Sequence, residues 1–568
     1  MQTNEQKQSV MQSTDNEAMD HKMRPASATA GTDVARAEQS AEREFAEMVS
    51  ANQARLTTNL KESYDFIVCG SGSSGSVVAR RLSEAGTASV LLLEAGGSDE
   101  VESVADASLW ASNIGSERDW GFVTNPSAHV GGRTFHQAMG KVLGGGSSVN
   151  AMIWSRGHKA DWDHFANESG DPAWSYSSVL EIYRRIEDWH GEPDSARRGQ
   201  GGPLFVQPAP THSSLSEVIL KAENARGMPT FADQNGAMME GDGGSALVNL
   251  CIRDGKRRSV YRSYVYPQMA EPNLTVLTGA LVTRILFENT RARGVEVMLD
   301  GQRRRFLADS EIVLSLGAFH TPKVLMQSGI GDRDELVPLG IDLIEHLPGV
   351  GKNLQEHLVG GIGLWEYAGA PERVAGIKTI AFHKTDPALD APDVQIFQSE
   401  IAQFSPDPTL GERCWSLLPI LVRPKSRGAV RLTGADPSDP IAIDGEFLAH
   451  PDDLRALRRG LELCREIGNS MELSPYRKAE VHPGNVHGSA LDDMIRTQLV
   501  TSWHPSCTAK MGKGEMSVVD QRLKVHGIDG LRIADSSIMP RVIAGNTMAP
   551  CVVIGERASD LLRAEHGV

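Results

Sequence analysis

Cysteine is scarce in this chain. Six occur in 568 residues, at Cys69, Cys251, Cys414, Cys464, Cys507 and Cys551, and no two stand at zinc-ligand or Cys-x-x-Cys spacing. That excludes a disulfide framework and leaves reduced, buried, small apolar residues. Basic charge is also short: 57 Lys and Arg face 73 Asp and Glu, a net charge of −16, with no basic block. Nucleic acid and anionic membrane surfaces are therefore poor partners. No apolar run approaches the ~20 residues of a spanning helix, so no transmembrane segment is expected. A basic n-region followed by an apolar h-region is missing too, so no secretory signal is read and the expected compartment is the cytoplasm. No His, Asp and Glu cluster has ligand spacing, and no metal is expected.

What the chain does have is length, 40% hydrophobic residues and 56 glycines, enough for more than one lobe with many tight turns. Residues 1–60 are rich in Gln, Ala, Ser and Glu. The first thirty or so read as disordered, and 34–59 as a helix with Phe45, Met48 and Leu56 on a thin apolar stripe. At Tyr64 the texture changes. Residues 64–69 read as a buried strand, 74–85 as a helix stopped by Gly86, and 89–93 as a second strand, a βαβ unit that opens a parallel α/β sheet. Further strands are expected at 274–277, 281–287, 294–299, 311–316 and 531–534. Amphipathic and terminal helices are expected at 452–467 and 548–562.

Gly70, Gly72 and Gly75 form GxGxxG between the first strand and helix. Gly70 serves the tight turn, Gly72 lets backbone approach a pyrophosphate, and Gly75 allows close helix–strand packing. Ser73 and Ser74 open the helix, whose N-terminal N–H groups favour a phosphate. Glu94, closing the second strand, is placed to accept hydrogen bonds from a ribose diol. A carboxylate there repels a 2′-phosphate, so NADP is disfavoured and FAD or NAD remains.

Residues 140–150 read GKVLGGGSSVN and residues 317–331 read GAFHTPKVLMQSGIG. With the N-terminal fingerprint, these stretches resemble the signature patterns of the glucose–methanol–choline (GMC) family of FAD-dependent oxidoreductases, over about 64–562. The resemblance implies an α/β fold. A Rossmann-like FAD-binding domain would comprise 61–165, 245–345 and 515–568. A substrate domain on an antiparallel sheet with helices would comprise 166–244 and 346–514, behind a leader of 1–60. It also implies FAD as cofactor. Gly144 and Gly145 would pass close to a flat ring, with Gly146 beside them. Ser147 and Asn150 would bond a diphosphate or flavin edge, Val282 would lie beside the adenine, and Asp535 near the ribityl chain or pyrophosphate. Thr547 and Met548 join the cofactor set. Pro322 is taken to open a helix after Gly317. Some members tether FAD through a His just upstream of the glycine run. Here Gln137 occupies that place and His136 lies one residue away, so FAD is expected to be non-covalent.

Residues 502–512 read SWHPSCTAKMG and 544–550 read AGNTMAP. The resemblance makes His504 the catalytic base and Asn546 its partner. Imidazole titrates near neutrality and can take a hydroxyl proton, while the amide of Asn546 can hold the substrate oxygen. Pro505 restricts His504 to extended backbone, and Trp503 walls the cavity. His357, in GKNLQEH, is given a packing role, as are His320 and His346. Residues 393–399 are expected to supply one wall, and Glu356, Glu366 and Trp365 are the candidates for a cage around a quaternary ammonium. The implied reaction is oxidation of a primary alcohol, either small aromatic or choline-like, with oxygen or a quinone as electron acceptor. The alternative is a non-redox cyanohydrin lyase, which favours two His at the reactive pair, and Asn546 argues against it. The oligomeric state is not legible.

Overall fold

The computed structural model describes residues 27–369, 374, 376–405, 407 and 409–568. The expectation of disorder falls mostly on residues 1–26, outside the described residues. Helix α1 spans Ser27–Thr58, starting earlier than the composition suggested. Met48 is 58% exposed and leaves the expected stripe, while Val49 and Leu56 are buried. The body of the molecule runs from Asn52 to Val568. Within it, the last turns of α1 are tied by Gln53, whose amide donates to the carbonyls of Met269 and Leu274 and accepts from Val276 N.

The first main sheet is built on β1 (Ser63–Cys69), β2 (Val90–Leu93), β3 (Leu274–Leu277), β4 (Leu281–Glu288), β5 (Arg291–Leu299), β6 (Gln302–Leu314) and β7 (Leu531–Ile533). Strands β3, β2, β1 and β6 lie side by side and parallel, and β7 adds in parallel to the far end of β6. Every residue of β2 and the last four of β1 are buried, as in parallel strands covered on both faces. Strand β6 starts nine residues before the run read from sequence. Its polar first half, QRRRF, pairs antiparallel with β5 and only its apolar second half enters the parallel sheet. Helix α2 (Ser73–Ser83) packs Val77, Val78 and Leu82 inward.

Helix α3 (Gly317–Gln327) follows β6 and carries Pro322 inside it rather than at its start. Proline removes the N–H that would pair with the carbonyl of Ala318. The hydroxyl of Thr508 donates to that carbonyl instead, at 2.7 Å, so the loop after His504 repairs the helix. Helix α4 (Met548–His566) closes the chain against α2. The approach is close: a Cβ on Gly555 would lie 2.7 Å from the carbonyl oxygen of Ser74.

The second main sheet has eight strands among the described residues. Its path is Arg477–His482, Gly363–Tyr367, Cys414–Leu421, Val394–Ser399, Ile377–His383 and Gly244–Leu247, all antiparallel, with Leu358–Val359 and Val500–Thr501 beside it. Strand Gly244–Leu247 straddles the boundary read at 244/245. Alternation sorts the two faces. Trp415, Leu417 and Leu421 join the core under helices Pro451–Gly468 and Ser214–Asn224, while Leu418 and Ile420 point the other way. That second face is the wall of the site.

Candidate active site

A single cavity of about 1230 Å³ runs from the glycine loop after β1 to the outward face of the second sheet. It exceeds the ~300–1,000 Å³ of a typical small-ligand pocket, so it can hold a large cofactor together with a second molecule. Gly70, Gly72, Ser73, Ser74, Glu94, Gly145, Ser147, Asn150, Val282, Asp535, Thr547 and Met548 all line it. Gly75 and Gly144 stand behind this surface. A Cβ on Gly75 would lie 1.9 Å from the carbonyl oxygen of Gly70, so helix α2 can start this close to the loop only with glycine there. Gly145, at φ +51°, meets Gly72 from across the cavity floor.

The carboxylates expected to bind cofactor are first of all loop fasteners. Glu94 accepts from Ser71 N (3.0 Å) and Ser71 Oγ (2.7 Å) through Oε2, and from Gly96 N (2.8 Å) through Oε1. Ser71 Oγ in turn accepts from Gly144 N at 3.0 Å, which couples the two glycine loops. Asp535 Oδ2 accepts from Gly317 N and Thr321 Oγ1, and Oδ1 from Ser537 N. Burial raises the pKa of both acids. Oε2 of Glu94 and Oδ2 of Asp535 each accept two donors already, which leaves Oε1 and Oδ1 with a lone-pair direction for a further donor. Ser147 Oγ donates to Gly144 O, and Ser74 Oγ to Cys551 O. Asn150 Oδ1 accepts from Arg257, whose buried guanidinium also binds the carbonyls of Asn150 and Val104. Ser71 carries no sequence signal beyond its place in the first glycine loop, and Arg257 carries none.

At the other end of the same cavity stand His504 and Asn546. The amide N–H of Asn546 donates to His504 Nε2 at 3.3 Å. On the other side of the ring, His504 Nδ1 lies 3.0 Å from His357 Nδ1, the two rings being nearly perpendicular. The packing role read for His357 is thus incomplete: although wholly buried, it touches the expected base. Backbone pairing makes the contact, since Gln355 exchanges both hydrogen bonds with Ser506 and Ser502 N donates to His357 O. Glu356 Oε1 accepts from the backbone N–H of His504 at 2.7 Å, and burial pushes this acid up to about 8. Burial brings His504 down to about 4 and His357 well below the usual imidazole range, with His504 adding to the effect. Both rings are neutral at pH 7.

Trp503 and Cys507, on either side of His504, hold left-handed backbone at φ +58° and +77°, a strain that costs about 1–3 kcal/mol each. Trp503 lines the cavity, donates to His136 O and meets Phe404 edge to face. His136 lies in a two-residue strand with Gln137 and pairs with Asp119, while Gln137 is buried. Phe397 and Ser399 of the 393–399 run do line the cavity, as does His320, which burial lowers to about 3. Cys551 also lines it and is partly exposed, unlike the other five thiols. The ammonium cage does not assemble. Trp365 is buried against Trp415, and Glu366 pairs with Arg413 and Lys478. No group of three metal-ligating side chains occurs among the described residues. No helix among them is long and apolar enough to cross a membrane.

Comparison with known proteins agrees with this layout. The family pattern described as GMC oxidoreductase matches residues 64–359, and its C-terminal counterpart matches 424–555. The chain is 34% identical to mitochondrial choline dehydrogenase of Mus musculus over 542 residues, 89% of this chain and 90% of the relative. It is 34% identical to oxygen-dependent choline dehydrogenase of Brucella anthropi over 527 residues, 87% and 95% of the two chains. Among solved structures, pyridoxine 4-oxidase from Mesorbium loti superposes with a TM-score of 0.83 at 33% identity, covering 89% and 99%. With a glycine cradle at one end of the cavity and a neutral imidazole at the other, the chain belongs to the GMC oxidoreductases, enzymes that use FAD to oxidise CH–OH donors.

Proposed function

We propose that this enzyme oxidises a primary alcohol to its aldehyde, with His504 as the base, and passes the electrons to oxygen or a quinone-type acceptor. FAD, held non-covalently by the loops around Gly72, Gly145 and Ser147 with Glu94 at the ribose and Asp535 near the ribityl or pyrophosphate, supplies the acceptor of the carbinol hydrogen as hydride. The protein manages the proton. The observation that carries this reading is the disposition of nitrogens around His504. Nδ1 faces His357 Nδ1 and Nε2 faces the amide N–H of Asn546. A single N–H fits between the two Nδ1 atoms. When His504 supplies it, Nε2 is unprotonated: its lone pair accepts from Asn546 here and is open to a hydroxyl proton once that amide turns to the substrate oxygen. His357 then accepts from the ring as it becomes charged, and Asn546 is positioned to donate to the oxygen that is losing its proton. His357 is a positioning residue in this scheme, and Trp503 bounds the substrate position. The unpaired thiols suit a reducing cytoplasm, the compartment proposed.

The test is anaerobic mixing of the purified yellow protein with a panel of primary alcohols. Bleaching of the flavin band with aldehyde formation is the expected result, and His504→Ala should retain FAD while bleaching about 10²–10⁴-fold more slowly. No bleaching by any alcohol, or near-normal bleaching of the variant, would overturn the reading.

A further inference from the structure

The substrate end of the cavity holds a cation that the chemistry above does not use. Lys378 stands on strand Ile377–His383 and lines the cavity beside Val359, Phe397, Leu418 and Ile420, on the face of the sheet turned away from the helices. The residue is 6% exposed. Among the described residues none hydrogen-bonds or ion-pairs with its ammonium. Burial lowers its pKa, and the charge of Glu400 opposes that. Glu400 is engaged elsewhere: Oε1 accepts from the hydroxyls of Ser213 and Ser216, and Oε2 from Val374 N. The acids that line the cavity are Glu94, Asp106, Asp254 and Asp535. Glu94 and Asp535 are fastened to the cofactor loops, and Asp254 is 86% exposed. None lies on the strands that carry Lys378 and its apolar neighbours.

An ammonium with an apolar wall has lost much of its hydration and recovers it best through a charge-assisted hydrogen bond. A second cation at short range in such surroundings is repelled more strongly than in water. Resting on the alcohol-oxidising reading, we propose that Lys378 is a specificity-determining residue, which binds a carboxylate at the end of the substrate remote from the hydroxyl and turns away alcohols that carry a fixed cation.

The holoenzyme tests this with three benzyl alcohols bearing a para carboxylate, a para methyl or a para trimethylammonium group. Each is mixed anaerobically, and Kd is taken from saturation of the flavin-bleaching rate. The carboxylate should bind at least tenfold tighter than the methyl compound, and the trimethylammonium weakest. Lys378→Met should erase that order, and Lys378→Arg should keep it. The same order in Lys378→Met, or a wild-type preference for the cation, would overturn the proposal. Should no alcohol bleach the flavin, the alcohol reading itself falls, and benzoate as a non-reacting ligand then decides the role of Lys378. Perturbation of the flavin spectrum at least tenfold tighter in the wild type than in Lys378→Met upholds the site, and equal binding removes it. Lys378→Arg, with flavin content measured alongside, guards against a variant that merely fails to fold.

Discussion

At the scale of single residues, the reactive end turns on which nitrogen of His504 holds the proton. With its pKa near 4, the ring is an unprotonated base throughout the neutral range. The rate of flavin reduction should therefore be flat from roughly pH 5 to 7.5 and fall as pH drops through about 4, where the imidazolium cannot accept a proton. A stopped-flow profile that still climbs between pH 6 and 7 would place the base at an ordinary imidazole value and contradict this. His357→Phe removes the acceptor behind the ring and should slow reduction about tenfold or more, with the acid limb of the profile displaced. His357→Asn, which restores an acceptor, should recover part of the rate. His504 and Asn546 were singled out because their stretches resemble the family's, and the structure brings the two together at one end of the cavity. His357 was not, because its contact with His504 is made by pairing two segments far apart in the chain, and a buried histidine in a loop looks the same whether it packs or positions.

At the scale of elements, the site hangs on loops fastened by side chains that sequence alone assigned to cofactor. Glu94→Ala should weaken FAD retention twice over, by removing the proposed ribose acceptor and by loosening the Ser71 hydroxyl that holds Gly144. Flavin content after gel filtration is the readout, and wild-type content would count against both roles. Thr508→Val leaves the carbonyl of Ala318 unpaired inside α3 and should cost about 1–3 kcal/mol, seen as a lower midpoint in thermal unfolding of the holoenzyme. An unchanged midpoint would mean that another donor reaches that carbonyl. Strands β1 to β3 and helix α2 were readable from apolar runs bounded by glycine, because buried parallel strands announce themselves. The first half of β6 was not, since QRRRF pairs at a half-exposed hairpin and carries no apolar pattern. Pro322 misled for a related reason: local rules put it at a helix start, and a distant threonine makes an interior place tolerable.

At the scale of the whole molecule, two sheets built from alternating stretches bound the cavity described above, and the fold keeps several acids in low-dielectric surroundings. Glu223 is fully buried, and burial pushes it up to about 8, with the Ser245 hydroxyl pulling only partly the other way. Its protonated form is favoured in the folded state, so its contribution is complete below the unfolded carboxyl value near 4.5 and is lost as pH rises through about 8. Thermal unfolding should show stability declining over that window, and Glu223→Gln should flatten the decline; an identical slope in the variant would remove Glu223 as its source. The general plan, a dinucleotide lobe and an antiparallel lobe, was legible through the family resemblance that the motifs carry. The cation on the substrate wall was not, because one lysine in a β-like stretch gives no sign of which face it takes. The account as a whole stands most directly on anaerobic single-turnover reduction by one good primary alcohol at pH 7, wild type against His504→Ala at equal flavin content. It predicts rapid bleaching of the wild type and a loss of at least about a hundredfold in the variant. Equal rates, or a wild type that no alcohol bleaches, would contradict it.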